Sequence, residues 1–143
     1  MNEFSSDELA RRCAEEMLRN DEASRWLGMD VKKVAPGEAE ITIEILSCML
    51  NGHGTCHGGI IFTLADSAFA FACNSWNHRA VASSCNIDFL RPCYEGDVLT
   101  ASAKMVHQAR RTGIYDVSVI NQKDECVAQF RGRSARLNSA VLD

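Results

Sequence analysis

The sequence predicts an α+β fold in which a curved antiparallel β-sheet wraps around one long central helix. The first indication is the run from Ile60 to Trp76, which has no glycine or proline and only one charged residue, Asp66. This run is too long for a typical strand and is apolar on nearly every side, as in a buried helix. The second indication is the arrangement around it, with two strand-like segments before the run and four after it. A helix buried on all sides needs a cover, and a curled sheet provides one.

The first 28 residues are expected to form a helical segment packed on a single domain that spans residues 1–143. Ser5 and Glu8 match a capping box, S-x-x-E, which marks the start of a helix. Apolar residues then recur at every fourth position to about Leu18, as in an amphipathic helix.

The six predicted strands are runs rich in β-branched and apolar residues, separated by turn residues. The clearest is Ala39–Ile45, where isoleucines alternate with polar residues, as expected for a strand with one buried face. In chain order, the other predicted elements are a short helix at Asp21–Leu27 ended by Gly28, and strands at Met29–Val34, Ala80–Leu90, Asp97–Val106, Gly113–Asn121 and Cys126–Leu137.

The composition is that of a globular protein and argues against several functional classes. Hydrophobic residues make up 46% and charged residues 24%, and the formal net charge is −4. A general nucleic-acid binder would carry a basic balance. The longest apolar stretch, Ile60–Cys73, is interrupted by Asp66 and is shorter than the ~20 residues of a membrane span. The N-terminus has no signal-peptide pattern. We therefore expect a cytoplasmic protein whose partners include neither nucleic acid nor membrane.

The seven cysteines are scattered, odd in number and free of C-x-x-C pairs. They are interpreted as free thiols in a reducing compartment rather than as a disulfide framework. Cys56 is expected to lie near a helix N-terminus, which lowers the pKa of a thiol and favours a nucleophile. One cysteine among seven scattered ones gives little support to that reading.

Asp66 is the main candidate for a catalytic residue. A carboxylate in the middle of a buried apolar helix is unfavourable unless it is paired or hydrogen-bonded. Buried carboxylates with displaced pKa values are concentrated at functional sites. The alternative is a structural aspartate that caps a neighbouring loop or pairs with an arginine.

The second candidate is the glycine-rich loop that ends in His57, Gly58 and Gly59, directly before the helix. A helix start presents unpaired backbone N–H groups and the positive end of the helix dipole. Two glycines let a ligand approach the backbone closely, and such a site can polarise a carbonyl and stabilise an oxyanion. The alternative is a tight turn that simply requires glycine.

Geometry connects these two candidates only through a second subunit. Gly58 and Asp66 are eight residues apart, which is about 12 Å along one helix at ~1.5 Å per residue. Catalytic contacts need about 3 Å, so one carbonyl cannot contact both groups of the same chain. Antiparallel pairing of two such helices about a two-fold axis near Phe62 would bring Asp66 of one chain beside Gly58 of the other.

Asn51 and His57 are further candidates from the same loop. The Asn51 amide could donate to a substrate carbonyl or orient a water, or it could be a turn residue before Gly52. His57 could orient substrate, but the structural role is favoured. A metal site at His53, Cys56 and His57 is disfavoured because Gly52, Gly54, Gly58 and Gly59 make this stretch a poor helix and no clear further ligand follows at usual spacing. No metal or cofactor is expected.

Arginines supply candidate contacts to the phosphate groups of a substrate. Arg91 precedes Pro92 at the end of a predicted strand, and Arg110 and Arg111 occupy a predicted turn before Gly113. Each could also be an ordinary solvated residue of a turn or edge.

The motifs described above, together with their neighbours, resemble the signature of the phenylacetate-degradation thioesterases, the PaaI family of hotdog-fold acyl-CoA thioesterases. The resemblance extends from about Ala23 to Arg136. It is carried by Leu50-Asn51-Gly52-His53, Cys56-His57-Gly58-Gly59, Phe62-Thr63-Leu64-Ala65-Asp66, Ile87-Asp88-Phe89-Leu90-Arg91-Pro92, Thr112-Gly113 and Phe130-Arg131-Gly132.

The resemblance implies a hotdog fold, dimers formed by joining sheets, and pairing of dimers into a homotetramer. It also implies hydrolysis of phenylacetyl-CoA or its ring-hydroxylated derivatives. In this family the aspartate that matches Asp66 is the general base or nucleophile. The amide that matches Gly58, from the other subunit, polarises the thioester carbonyl, and the residue matching Asn51 lies in the site.

Gly59, Ser83, Arg91 and Arg111 are expected to contact the substrate. Many relatives carry a serine or threonine on the strand after the helix, where this chain has Ala82, and Ser83 is the candidate replacement. Two other activities remain open: a hotdog enoyl-CoA hydratase or dehydratase, and a non-catalytic acyl-CoA-binding sensor.

Overall fold

A computed structural model describes residues 4–143 of the chain. Within these residues the helices are α1 (Ser6–Asn20), α2 (Glu22–Trp26) and α3 (Gly58–Cys73), with a short 3-10 helix at Ser47–Met49. The strands are β1 (Asp30–Ala35), β2 (Glu38–Glu44), β3 (Ala80–Phe89), β4 (Val98–Gln108), β5 (Thr112–Ile120) and β6 (Cys126–Arg136).

The strands form one antiparallel sheet in the order β1-β2-β4-β5-β6-β3. The sheet curves around α3, which packs against the concave face. The predicted hotdog arrangement, two strands, one long helix and four strands, is confirmed. The β1–β2 turn closes at the pair Ala35↔Glu38, and Gly37 adopts the left-handed conformation that this turn needs, with φ of +73°.

The core lies between the sheet and α3 because alternate residues of each strand point inward. In β5, for example, Tyr115, Val117 and Val119 are fully buried. The ring of Phe69, on α3, packs 5.8 Å from the Tyr115 ring and 5.7 Å from the Phe130 ring, measured between centroids. Aromatic stacking of this kind fixes the height of the helix above the sheet.

Helix α1 packs on the rest of the domain through a buried face that includes Ala10, Cys13 and Ala14. Ser5 caps α1 by accepting a hydrogen bond from the Glu8 backbone N–H, 3.2 Å away. Helix α2 ends before Gly28, whose φ is +74°. The predicted helix start at Ser5 and the glycine stop are therefore confirmed, but within the described chain the reciprocal half of the capping box does not form, because the Glu8 carboxylate accepts from Arg12 instead.

The prediction that α3 is buried on all sides is wrong for one of its faces. Gly59 is exposed, and Phe62, Thr63, Asp66 and Ala70 are only partly buried. These positions follow the spacing of a single helical stripe. The sheet and the N-terminal helices of the described chain leave that stripe uncovered.

Strand β3 forms an edge of the sheet and is paired only with β6 among the described residues. Its side chains are largely exposed, including Val81 at 49% and Phe89 at 52%. A long, exposed and partly apolar edge strand is a template for pairing with another chain. None of the helices within residues 4–143 is long and apolar enough to cross a bilayer.

Candidate active site

Asp66 lies midway along α3, on the uncovered stripe, in a cleft of about 770 Å³. Helices α1 and α2 form one wall of this cleft, and the start of β3 forms the other. The apolar lining includes Met17, Phe69, Leu137 and Val141. The Asp66 carboxylate has no hydrogen-bond or ion-pair partner among residues 4–143. It is therefore free to contact a substrate or a water molecule.

Burial raises the pKa of the Asp66 carboxyl above its usual range, and the negative charge of Asp21 raises it further. Asp21 caps α2 and accepts hydrogen bonds from the backbone N–H of Ser24 at 3.0 Å and from the Ser24 hydroxyl at 2.6 Å. The Ser24 hydroxyl is also 3.1 Å from that of Ser67. This chain of contacts holds the Asp21 charge in place near α3.

The first turn of α3 leaves one backbone N–H without a partner. His57 is the N-cap: its Nδ1 accepts from the Gly59 N–H at 2.9 Å, and its carbonyl accepts from Ile60 and Ile61. The Gly58 N–H has no partner within the described residues. The Nδ1 acceptor role assigns the Nε2–H tautomer to His57. The helix start thus presents the Gly58 donor for a carbonyl oxygen.

Gly58 lies in a different cleft, of about 330 Å³, beneath the ring of Phe89. A Cβ added at Gly58 would sit 3.2 Å from Cζ of that ring. No residue lines both this cleft and the Asp66 cleft. Within one subunit, the acid and the free amide therefore face separate spaces.

Asn51 organises its own loop. Its Oδ1 accepts hydrogen bonds from the backbone N–H groups of His53 at 2.9 Å and Thr55 at 3.2 Å, and its Nδ2 donates to the Thr55 hydroxyl at 3.0 Å. These contacts form an Asx turn. The structure places Asn51 outside both clefts.

Ser83 sits at a β-bulge, where the register between β3 and β6 shifts. Its hydroxyl donates to the Arg133 carbonyl at 3.1 Å. Ala82, and not Ser83, lines the Asp66 cleft. Within one chain, the Ser83 hydroxyl therefore hydrogen-bonds to the neighbouring strand, β6.

The candidate phosphate ligands have different surroundings. Arg91 lines the Gly58 cleft, but its guanidinium donates to the Glu125 carboxylate at 2.6 Å. Arg111 lines a third cleft together with Arg110 and Arg136.

The structure opposes a thiolate role for Cys56. Burial, together with the negative charge of Asp97, raises the pKa of the Cys56 thiol to about 11. The expected lowering by the helix N-terminus is therefore wrong, because burial and the Asp97 charge both disfavour the thiolate. Among residues 4–143, no three His, Cys, Asp or Glu side chains are grouped so as to hold a metal ion.

Sequence reasoning missed the walls of the Asp66 cleft. Met17, Asp21, Leu137 and Val141 come from the two ends of the chain, far from the motif in sequence. Asp21 could have been recognised as the cap of α2, but its distance to Asp66 depends on how the helices pack.

The curved antiparallel sheet around one long helix is the hotdog fold, and the unpaired acid and amide on that helix fit acyl-transfer chemistry. The sequence matches the thioesterase superfamily model over residues 53–128, and the chain belongs to this family. It is 48% identical over 128 residues to acyl-coenzyme A thioesterase PaaI of Escherichia coli, covering 90% of this chain and 91% of that protein. The resemblance to PaaI that the motifs indicated is thus confirmed.

Solved structures agree with this assignment. The E. coli PaaI protein from the phenylacetic acid degradation operon superimposes with a TM-score of 0.94 at 47% identity, covering 95% of this chain and 99% of that one. A Streptococcus mutans protein bound to acetyl CoA superimposes with a TM-score of 0.76 at 30% identity, covering 78% of this chain and 90% of that one.

Proposed function

We propose that the protein is an acyl-CoA thioesterase that hydrolyses phenylacetyl-CoA or ring-hydroxylated phenylacetyl-CoA to the free acid and CoA. The observation that carries the proposal is the unpartnered Asp66 carboxylate, which lines an apolar cleft on the helix that begins with a free Gly58 amide. The E. coli relative is named an acyl-coenzyme A thioesterase from the phenylacetic acid degradation operon. The S. mutans relative binds acetyl CoA, which supports a CoA thioester as the substrate class.

The active unit in this proposal is a homodimer, and two dimers assemble into a homotetramer. Pairing through the β3 edge would extend the sheet and cover the exposed side chains of Val81 and Phe89. The uncovered stripe of α3 would then meet its symmetry-related copy. Each of the two sites would combine Asp66 of one subunit with Gly58 of the partner subunit.

In the proposed reaction, the thioester carbonyl oxygen accepts a hydrogen bond from the Gly58 amide of the partner subunit. Asp66 removes a proton from a water molecule, and the hydroxide adds to the carbonyl carbon. The amide stabilises the resulting oxyanion. Collapse of this intermediate breaks the C–S bond, and the proton held by Asp66 passes to the departing CoA sulfur. Direct attack by Asp66, giving a mixed anhydride that water then hydrolyses, uses the same two groups.

Other residues serve this pair in the proposal. His57 accepts a hydrogen bond from the Gly59 N–H and leaves the Gly58 N–H without a partner in the described residues. Asn51 stabilises the conformation of the preceding loop through its hydrogen bonds. Gly59 lets the substrate approach the helix start closely. Ser83, Arg91 and Arg111 are assigned to substrate binding in the assembled dimer.

The apolar lining of the Asp66 cleft suits an aromatic acyl group. Met17, Phe69, Leu137 and Val141 would surround the ring, and the polar residues of the α1–α2 connection would border it. We place the protein in the cytoplasm, where its seven free thiols would stay reduced. We also propose that the chain acts as one domain, on which the N-terminal helices α1 and α2 pack.

The test measures release of free CoA thiol from phenylacetyl-CoA, hydroxyphenylacetyl-CoA and straight-chain acyl-CoAs. We expect the aromatic substrates to have the highest kcat/KM and Asp66→Asn to keep less than about a tenth of wild-type hydrolysis, since the ionised acid acts in the chemical step. An Asp66→Asn protein that retained more than this, while folded and assembled, would remove Asp66 from the mechanism.

Two substitutions at Gly58 isolate its N–H group. Proline is well accepted at the first position of a helix, and the ψ of 132° at His57 suits a residue that precedes proline. Gly58→Pro therefore removes the donor without breaking α3, and we expect kcat to fall by about 10²–10³. Gly58→Ala is the matched control because it adds a Cβ and keeps the N–H. Equal activity of the two variants would contradict the amide's role.

A further inference from the structure

A third cleft, of about 350 Å³, lies where three segments meet at one end of the sheet. These segments are the entry to β3 at Asn77 and His78, the β4–β5 turn with Arg110 and Arg111, and the end of β6 at Arg136. The C-terminal residues 137–140 close it on the remaining side.

This cleft is strongly basic in a chain that carries a net charge of −4. Arg110, Arg111 and Arg136 line it, and no Asp or Glu side chain within residues 4–143 does. None of the three arginines forms an ion pair with a described residue. By contrast, Arg91, just after β3, and Arg131, on β6, are each paired with a carboxylate. Three uncompensated guanidinium groups in one depression favour an anion.

Arg136 provides independent evidence for an anion site. Its Nε is buried and has no hydrogen-bond partner within the described residues. Its backbone N–H is held by the Arg111 carbonyl at 2.7 Å, which fixes the end of β6 against the turn. A desolvated charged donor without an acceptor is unfavourable, and a phosphate oxygen in the cleft would relieve it.

The basic cleft adjoins the Asp66 cleft. Leu137 lines both spaces, and His78 in the basic cleft is followed directly by Arg79 in the Asp66 cleft. A CoA thioester is also divided into two parts, because its pantetheine arm separates the reacting carbonyl from the phosphate groups. A phosphate site that is separate from the Asp66 cleft is compatible with this division.

We propose that Arg110, Arg111 and Arg136 bind the phosphate groups of the CoA moiety. This assignment rests on the proposed function, and it separates these arginines from Arg91, whose guanidinium is already paired with Glu125.

The direct test is calorimetric titration with free CoA, which needs no hydrolysis. Arg111→Gln should weaken CoA binding by about tenfold or more, since a charge-assisted hydrogen bond is lost. Binding of pantetheine, which lacks phosphate, should not change. Lys33→Gln is the control, because it also removes one positive charge. Lys33 is exposed on β1, at the opposite edge of the sheet from β3. Arg91→Gln should have a smaller effect than Arg111→Gln.

Dephospho-CoA distinguishes the two phosphate sources. If Arg111→Gln weakens CoA but not dephospho-CoA, the site holds the ribose 3′-phosphate; if it weakens both, the site holds the diphosphate. Equal loss with CoA and pantetheine, or no loss with CoA, would overturn the assignment. Because the titration does not measure hydrolysis, a protein that binds CoA through these arginines but cleaves no thioester would contradict the proposed function alone.

Discussion

At the scale of single residues, the environment of Asp66 favours its neutral form. Partial burial raises the pKa of its carboxyl, and the charge of Asp21 adds to this effect. A raised pKa makes the ionised acid a stronger proton acceptor, as a general base requires. Since the proposed reaction needs the ionised form, kcat/KM should rise with pH through the pKa of Asp66.

Asp21→Asn should move this rise to lower pH. Asparagine caps a helix about as well as aspartate, so α2 keeps its cap while the negative charge beside Asp66 disappears. Removing a like charge makes ionisation of Asp66 easier and lowers its pKa. The measurement is the pH dependence of kcat/KM for the best acyl-CoA substrate. Glu15→Gln, on the exposed face of α1 and outside the cleft, is the control. If the rise of kcat/KM occurred at the same pH in Asp21→Asn as in the wild type, a group other than Asp21 would control the pKa of the catalytic acid.

The sequence was sufficient to single out Asp66 and Gly58 as candidates, because their signals are local, but it did not predict that His57 caps α3. A charge inside an apolar helix and glycines before a helix start are visible within ten residues. The contribution of Asp21 was not predictable, since it depends on how α2 packs beside α3. The hydrogen bonds that Asn51 makes within its own loop could not be predicted. In the sequence, an asparagine that binds substrate and an asparagine in an Asn-Gly turn have the same pattern.

At the scale of elements, the position of α3 over the sheet depends on a glycine in β6. A Cβ added at Gly132 would lie 2.8 Å from carbons of the Phe69 ring, which is closer than real contacts allow. Phe69 cannot move aside because it is buried between Tyr115 and Phe130. Gly132 therefore lets the helix and sheet approach closely enough to form the Asp66 cleft.

Gly132→Ala should destabilise the protein by about 1–3 kcal/mol, the usual effect of overpacking a core. Urea unfolding followed by circular dichroism measures this change. Gly52→Ala is the matched control, because a Cβ at Gly52 would meet nothing within 4 Å and its φ is not in the left-handed region. The packing account fails if the two variants lose equal stability.

The elements themselves were largely predictable, and their bounds differ from expectation by at most three residues. Periodicity located the strands, while the Ser5 N-cap and Gly28 bounded the N-terminal helices. The uncovered stripe of α3 was not predicted, because an apolar helix has the same pattern whether a sheet or another subunit covers it. The bulge at Ser83 likewise has no signature in the sequence.

At the scale of the whole molecule, two exposed features of the single subunit point in the same direction. The β3 edge has unpaired backbone groups within the described chain and exposed apolar side chains, and the Asp66 stripe of α3 lacks a cover. The acid and the free amide also face separate clefts in one subunit. The two-fold dimer proposed above would account for all three observations and would make assembly a condition of catalysis.

Complementation between two inactive variants tests this shared site most directly. Chains carrying Asp66→Asn and chains carrying Gly58→Pro are co-expressed with different tags, and mixed dimers are purified through both tags. Each parent homodimer lacks one group in both sites. In a mixed dimer, one site lacks both groups, whereas the other has an intact Asp66 and an intact Gly58 amide. We expect mixed dimers to recover about half of the wild-type thioesterase activity, since one of two symmetric sites is complete. Mixed dimers as inactive as their parents would contradict a site built from two subunits.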